Sequence, residues 1–306
     1  MLRPGRAAKE AAVPRREQIE IKTPAQVRHM RRAGLVVAQI HAALRQAVRP
    51  GITTAELDAV SAGVIERAGA RSNFLGYHGF PATVCISVNE EAVHGIPGPR
   101  VLEAGDLVTF DCGAFVTDDR GTQWHGDAAF TTVVGGAYRN DSDRILDATT
   151  ERCLWEAIAA LARAAAGRGG ARELRLNAVG DAVEETVAQV ASAEGHELGI
   201  LEEYVGHGIG TRMHMPPDVL NYSVRARGPR LRPGMVLAIE PMLTAGSPRV
   251  RELDDGWTVV TCDGSRAAQW EHTVAIMPGG VWVLTAPDGG ARGLEPYGLA
   301  PVTMPG

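Results

Sequence analysis

The 306-residue sequence has only four cysteines (Cys85, Cys112, Cys153 and Cys262), no surplus of basic residues, few aromatic side chains and no long apolar run. Each shortage excludes something. Four cysteines in so long a chain do not make the disulfide framework of a small secreted scaffold, and they read as reduced thiols. Lys and Arg number 31 against 36 Asp and Glu, a formal net charge of −5, so the positive balance of a DNA-binding protein is missing. No stretch approaches the roughly 18 uninterrupted apolar residues of a membrane span. The opening MLRPGRAAKEAAVPRRE is basic but has no apolar centre of the signal-peptide kind. What remains is ordinary globular composition, 45% hydrophobic and 22% charged, which excludes a disordered or collagen-like chain. The expectation is a cytoplasmic enzyme with a full hydrophobic core.

Residues 1–18 carry Arg3, Arg6, Lys9, Arg15 and Arg16 with two prolines and no apolar periodicity. They read as a flexible basic extension, able to touch an acidic partner such as ribosomal RNA. Residues 19–285 read as one globular domain, and 286–306 as a loosely ordered tail rich in Gly and Pro. Thr23 before Pro24 starts a helix, because an N-cap oxygen precedes a ring suited to the first helical position. That helix carries Val27, Met30, Leu35, Ile40 and Leu44 and stops before Pro50-Gly51. Thr53 with Glu56 forms a capping box for a second helix ending near Gly69. Runs at 84–88, 107–111, 130–134, 236–240, 257–261 and 271–276 read as strands, and 143–167 and 177–194 as helices. This segregated order predicts an α+β fold rather than a simple alternation.

A repeat lies within the strands. VLEAGDLVTFDC (101–112) aligns with RLRPGMVLAIEP (230–241): each is a glycine turn, an apolar strand, and a carboxylate at the same offset, Asp111 and Glu240. A second strand follows each, with Asp127 in WHGDAAF and Glu271 in QWEHTVA. Each half also holds a His-Gly-Ile turn, at 94–97 and 207–210. The matches recur in one order and predict two similar halves, each placing two acids on neighbouring strands of a hairpin.

Acids that end apolar strands are costly to bury unless paired or bound to a cation, and the apolar runs offer no Lys or Arg. A divalent ion turns their mutual repulsion into binding. Four carboxylates and one imidazole make an oxygen-rich set for two adjacent ions, suited to Co, Mn, Fe or Zn. His207, in VGHGIGTRMH, is the expected nitrogen ligand, its flanking glycines permitting a tight turn that fixes the ring. His94 and His214 are expected at outer or substrate-facing positions and His125 as a neighbour of Asp127. His29, His41 and His196 are read as ordinary surface or core residues.

Taken together, VCISVNEEAVHGIP, LVTFDCG, WHGDAAFTT, GHGIGTRMH, LAIEPM and AQWEHTVAI resemble the type 1 methionine aminopeptidases from about Ile19 to Val283. The resemblance implies the pseudo-twofold pita-bread fold, an antiparallel sheet flanked by helices. It also implies removal of the initiator methionine from nascent polypeptides when the second residue is small. By position it makes Asp111, Asp127, His207, Glu240 and Glu271 the ligands of two divalent ions, with Asp127 and Glu271 bridging. Glu240 would double as general base. His94 would meet the scissile amide, and His214 would donate to the carbonyl oxygen as charge builds there. Tyr77, Phe80, Cys85 and Trp257 would form the side-chain pocket, with Phe74 a further candidate, because an aromatic slot with a soft sulfur suits a thioether. Nothing in the sequence demands more than a monomer, which is the expected state.

Two departures stand out. FVTDDRGTQW lengthens the hairpin between Asp111 and Asp127, which either preserves the register or slips one Asp away from the site. Met213 replaces an aromatic common in the family. A proline-directed peptidase of the same fold, or a binding protein without chemistry, are the alternatives. The first commonly carries a large extra N-terminal domain, and the second has lost ligands.

Overall fold

The computed structural model describes residues 18–167, 175–226 and 228–302, so the basic extension expected over 1–18 lies outside the described residues except for Gln18. Helix α1 (Pro24–Ala47) starts where the Thr23 hydroxyl accepts from the Gln26 amide and the Gln26 side chain accepts from the Thr23 amide. Helix α2 (Thr54–Arg67) starts with the same reciprocal cap between Thr53 and Glu56. Helix α3 (Asp141–Ala165) is capped by Asn140, and α4 (Ala178–Glu194) ends at Gly195 in the left-handed region.

Two half-cores result. In the first, antiparallel strands Val84–Val88, Leu107–Thr117 and Gln123–Val133 are covered by α1 and α2, with Ile40, Leu44, Leu57, Ile86, Phe110 and Phe130 buried between. In the second, strands Gly206–Gly208, Met215–Val219, Val236–Ile239, His272–Met277 and Gly280–Val283 form one sheet. Helix α3 lies on it and α4 packs against α3, burying Leu146, Leu154, Ile158, Val183, Leu237 and Ile276. This is the α+β architecture of two similar halves that the repeat predicts.

The halves meet at a hydrogen-bonded seam. The Asp127 amide donates to Thr273 Oγ1 (2.9 Å), and that hydroxyl donates back to the Asp127 carbonyl (2.7 Å). The Glu271 amide donates to the Ala129 carbonyl (2.9 Å). The Gln269 amide donates to Thr131 Oγ1 (3.1 Å).

The long hairpin keeps its register. Pairing runs unbroken from Leu107↔Val133 to Thr117↔Gln123, so the extra residues lengthen the ladder and leave only 118–122 as the turn. Asp118 closes that turn, accepting from the Arg120 and Thr122 amides and from Trp124 Nε1.

Of the stretch from Pro287, expected to be loose, the described residues 287–302 are docked instead. Leu294 on α5 (Ala291–Leu294) is fully buried in the second core, and the Val302 amide donates to the Val281 carbonyl. The Arg31 guanidinium holds the start of the segment through the carbonyls of Val283, Leu284, Ala286 and Pro287. Its glycines serve a turn back onto the sheet, with Gly289 and Gly290 at positive φ beside Trp282 and Val283.

Candidate metal centre and cavity

Strand register explains how the acids converge. Asp111 is paired with Ala129, and Asp127 with Gly113, so the two aspartates lie diagonally on one face. In the other half Ile239 pairs with His272, which sets Glu240 directly opposite Glu271 at the next position. The seam bond from Glu271 to Ala129 then aligns the second pair with the first. Ala129, with only a methyl group, leaves room on that face.

His207 enters from strand Gly206–Gly208, where it pairs with Ala238. Its Nε2 lies 3.6 Å from Glu240 Oε1. Among the described residues, Asp127, His207 and Glu271 each offer a ligand atom within 4.8 Å of the others. The glycines around His207 act differently from the tight turn expected. They are strand residues, and a Cβ on Gly206 or Gly208 would sit 2.4 Å from the Ala238 carbonyl oxygen or 2.2 Å from that of Pro216. Close approach of neighbouring strands, rather than a turn, requires them.

All four acids line the cavity, Asp127 and Glu271 buried and Asp111 and Glu240 half-buried. Burial pushes the Asp111 carboxyl up to about 7. Burial first, and then the neighbouring acids, raise Asp127, Glu240 and Glu271 well above the usual carboxylate range. Burial pulls the His207 imidazole down to about 3, which keeps it neutral and able to bind a cation through a ring nitrogen. Asp111 Oδ1, Asp127 Oδ1 and Glu271 Oε1 are buried without a hydrogen-bond partner. Orphaned oxygens on mutually repelling acids beside a neutral imidazole fit a divalent cation, which would replace the protons the acids otherwise retain.

The cluster floors a cavity of about 380 Å³. One wall is apolar, with Phe74, Phe80, Cys85 and Met213 buried together and Tyr77 and Trp257 packed against them. Phe80 meets Trp257 edge-on at 5.1 Å and Phe74 at 6.4 Å. Burial holds the Cys85 thiol protonated, so it acts here as a soft apolar surface. The departure at Met213 therefore keeps the wall apolar.

His94 and His214 line the cavity beside this wall. His94, at a positive φ of 60°, packs edge-on against Tyr204 (5.4 Å) and Trp257 (6.3 Å), and burial lowers its pKa to about 4. His214 packs against the His207 ring at 4.4 Å and shares a 2.8 Å hydrogen bond with the Tyr77 hydroxyl. His125 stays outside the cavity lining, bonded through Nδ1 to Asn73 (2.8 Å). His41 is a satisfied core residue, its Nε2 on the Ala128 carbonyl.

Sequence reasoning missed Tyr204, Gln269 and Asn221. Gln269 donates to Glu240 Oε2 (3.3 Å), and buried Asn221 donates to the Glu240 carbonyl (3.0 Å). Gln269 stands two residues before Glu271 in an extended run, and that spacing places both on one face. Tyr204 and Asn221 lie on irregular segments where no period points to them.

The sequence matches the model of metallopeptidase family M24 over residues 28–278. It is 43% identical over 264 residues to methionine aminopeptidase 1 of Bacillus subtilis, covering 86% of this chain and 98% of that protein. Methionine aminopeptidase 1 of Mycobacterium tuberculosis is 46% identical over 257 residues, covering 84% and 91%. The crystal structure of methionine aminopeptidase from Thermotoga maritima superposes with a TM-score of 0.78 at 36% identity, covering 88% of this chain and 99% of that one. The prolidase of Pyrococcus furiosus, at 19% identity and TM-score 0.63, shares the fold, with 87% of this chain and 65% of that one covered. The chain belongs to metallopeptidase family M24, with the pita-bread fold and divalent-metal chemistry of that class. Within the family it falls among the methionine aminopeptidases.

Proposed function

We propose that the protein hydrolyses the first peptide bond of chains that begin with methionine and carry a small second residue. The observation that carries this reading is the acid-and-histidine cluster at the floor of an apolar, sulfur-bearing slot. Asp111, Asp127, His207, Glu240 and Glu271 would hold two divalent ions of the Co, Mn, Fe or Zn type. Bound there, they would lower the pKa of a water toward neutrality and polarise the scissile carbonyl.

The remaining steps belong to the chain. Phe74, Tyr77, Phe80, Cys85 and Trp257 take the methionine side chain and exclude water from it. Glu240 moves the nucleophile's proton; Gln269 engages its Oε2 and leaves Oε1 on the His207 side. His214 donates to the carbonyl oxygen as negative charge develops, and His94 faces the departing amide. The same reading makes the protein a cytoplasmic monomer acting on nascent N-termini, with residues 1–18 reaching for the ribosome. Deleting those residues is then expected to abolish ribosome co-sedimentation.

The test is release of free methionine from Met-Ala-Ser by protein loaded separately with each metal, with Glu240→Ala as blank and Lys-Ala-Ser and Ala-Pro-Ser alongside. Methionine release that disappears in the blank supports the reading. Release of Ala from Ala-Pro-Ser instead, or no release with metal bound, overturns it.

A further inference from the structure

His214 lies outside the regular elements, at the end of the irregular stretch 209–214 that precedes the strand starting at Met215. Two side chains hold its ring instead. The His207 imidazole packs edge-on against one side at 4.4 Å. The Tyr77 hydroxyl reaches Nδ1 at 2.8 Å, across 137 positions in sequence. Tyr77 itself sits on a short 3-10 turn, Tyr77–Gly79, between Gly76 and Gly79, both at positive φ, and its ring meets that of His214 at 5.4 Å. A residue serving only as apolar wall would have no use for a hydroxyl aimed at that nitrogen.

The bond has a chemical direction. A neutral imidazole carries one proton, on Nδ1 or Nε2, and the two tautomers exchange which ring nitrogen donates and which accepts. A phenol O–H is a good donor and an unprotonated ring nitrogen a good acceptor, so the bond is strongest with Tyr77 donating to Nδ1. The proton then resides on Nε2, the only other ring nitrogen, and Nε2–H is a donor. We infer that the Tyr77 hydroxyl is a positioning group for the reaction: it locks His214 in its Nε2–H tautomer and aims that donor into the cavity, toward the carbonyl oxygen of the scissile bond. The assignment rests on the proposed peptidase activity for its catalytic consequence, but the tautomer itself does not depend on it.

Tyr77→Phe tests this while keeping the ring that fills the slot. In protein labelled with 15N-histidine, the His214 nitrogens of the wild type are expected to show a protonated Nε2 and an accepting Nδ1, and those of Tyr77→Phe a mixture. The variant is expected to lose roughly ten- to hundredfold in kcat on Met-Ala-Ser with KM changed less than about twofold, as for a lost transition-state donor. In a His214→Ala background the same substitution is expected to change kcat less than about twofold, because Tyr77 acts through His214. A wild-type His214 protonated on Nδ1, a loss confined to KM, or undiminished loss in the His214→Ala background would each overturn the inference. Failure of the wild type to release methionine would instead overturn the proposed function and leave the tautomer measurement standing.

Discussion

Replacing Asp111 with Asn in metal-free protein is expected to stabilise it, increasingly so as pH rises. The folded carboxyl sits at about 7 against an ordinary 3.8, so between those values the folded state keeps a proton that the unfolded state has lost. Stability from that proton is complete at low pH and is lost as pH rises through about 7. Between pH 6 and pH 8 the loss is on the order of 1 kcal/mol, and Asn also relieves the repulsion that Asp111 exerts on Asp127, Glu240 and Glu271. Asn has nothing to lose over the same interval. The buried histidines, pulled down by desolvation, change stability in the opposite sense near pH 6.5, but they are present in both proteins and cancel in the difference. The assay is thermal unfolding of both proteins in EDTA across that range, reading the difference in Tm. At roughly 2–4 °C per kcal/mol, the variant should gain on the wild type by a few degrees. Adding Mn or Co should reverse the order, since an ion at 100 times its Kd stabilises the wild type by about 2.7 kcal/mol and a weakened site by less. A difference that stays flat with pH in EDTA, or equal stabilisation of both proteins by metal, would refute the account of Asp111 as a carboxyl held for a cation.

Three further outcomes follow from the geometry. Trp257→Ala, which removes the ring packed on Phe80, is expected to lower kcat/KM on Met-Ala-Ser by on the order of tenfold or more through KM, measurable by methionine release across substrate concentration. Gly208→Ala should force apart the strand carrying His207, because the new methyl would lie 2.2 Å from the Pro216 carbonyl oxygen; calorimetry should show reduced metal affinity and a lower Tm together. Asp118→Ala removes three acceptor contacts from the hairpin turn and is expected to lower the denaturant midpoint with kcat unchanged, because the ladder below fixes Asp111 and Asp127.

The parts of the fold legible in the sequence are those encoded by local chemistry. Thr23 with Pro24 and Thr53 with Glu56 announce the starts of α1 and α2, because caps are satisfied within a few residues. The strands bearing Asp111 and Glu240 are visible because apolar runs end in a charge that needs a reason. What stayed hidden depends on distant partners. Nothing local to Pro287 shows that Arg31 gathers four carbonyls at 283–287, so a Gly- and Pro-containing stretch reads as loose. Gly206 and Gly208 read as turn residues until the opposing carbonyls of Ala238 and Pro216 are seen. Tyr77 reads as one more aromatic until its hydroxyl is found on His214.

The reciprocal bonds between Asp127 and Thr273 have a consequence for the molecule as a whole. Two of the acids come from one half-core and two from the other, so the cluster exists only while the half-molecules stay in register. An ion bound there would act as a rivet, spanning a joint otherwise closed by hydrogen bonds and by the apolar contact of Met30 and Trp124 with Val236 and Leu284. Separately expressed halves would each carry two repelling acids and no complete donor set. Occupancy of the site thus doubles as a gauge of alignment: a shift at the joint, from heat or from a substitution far from the cavity, would be registered first as metal lost.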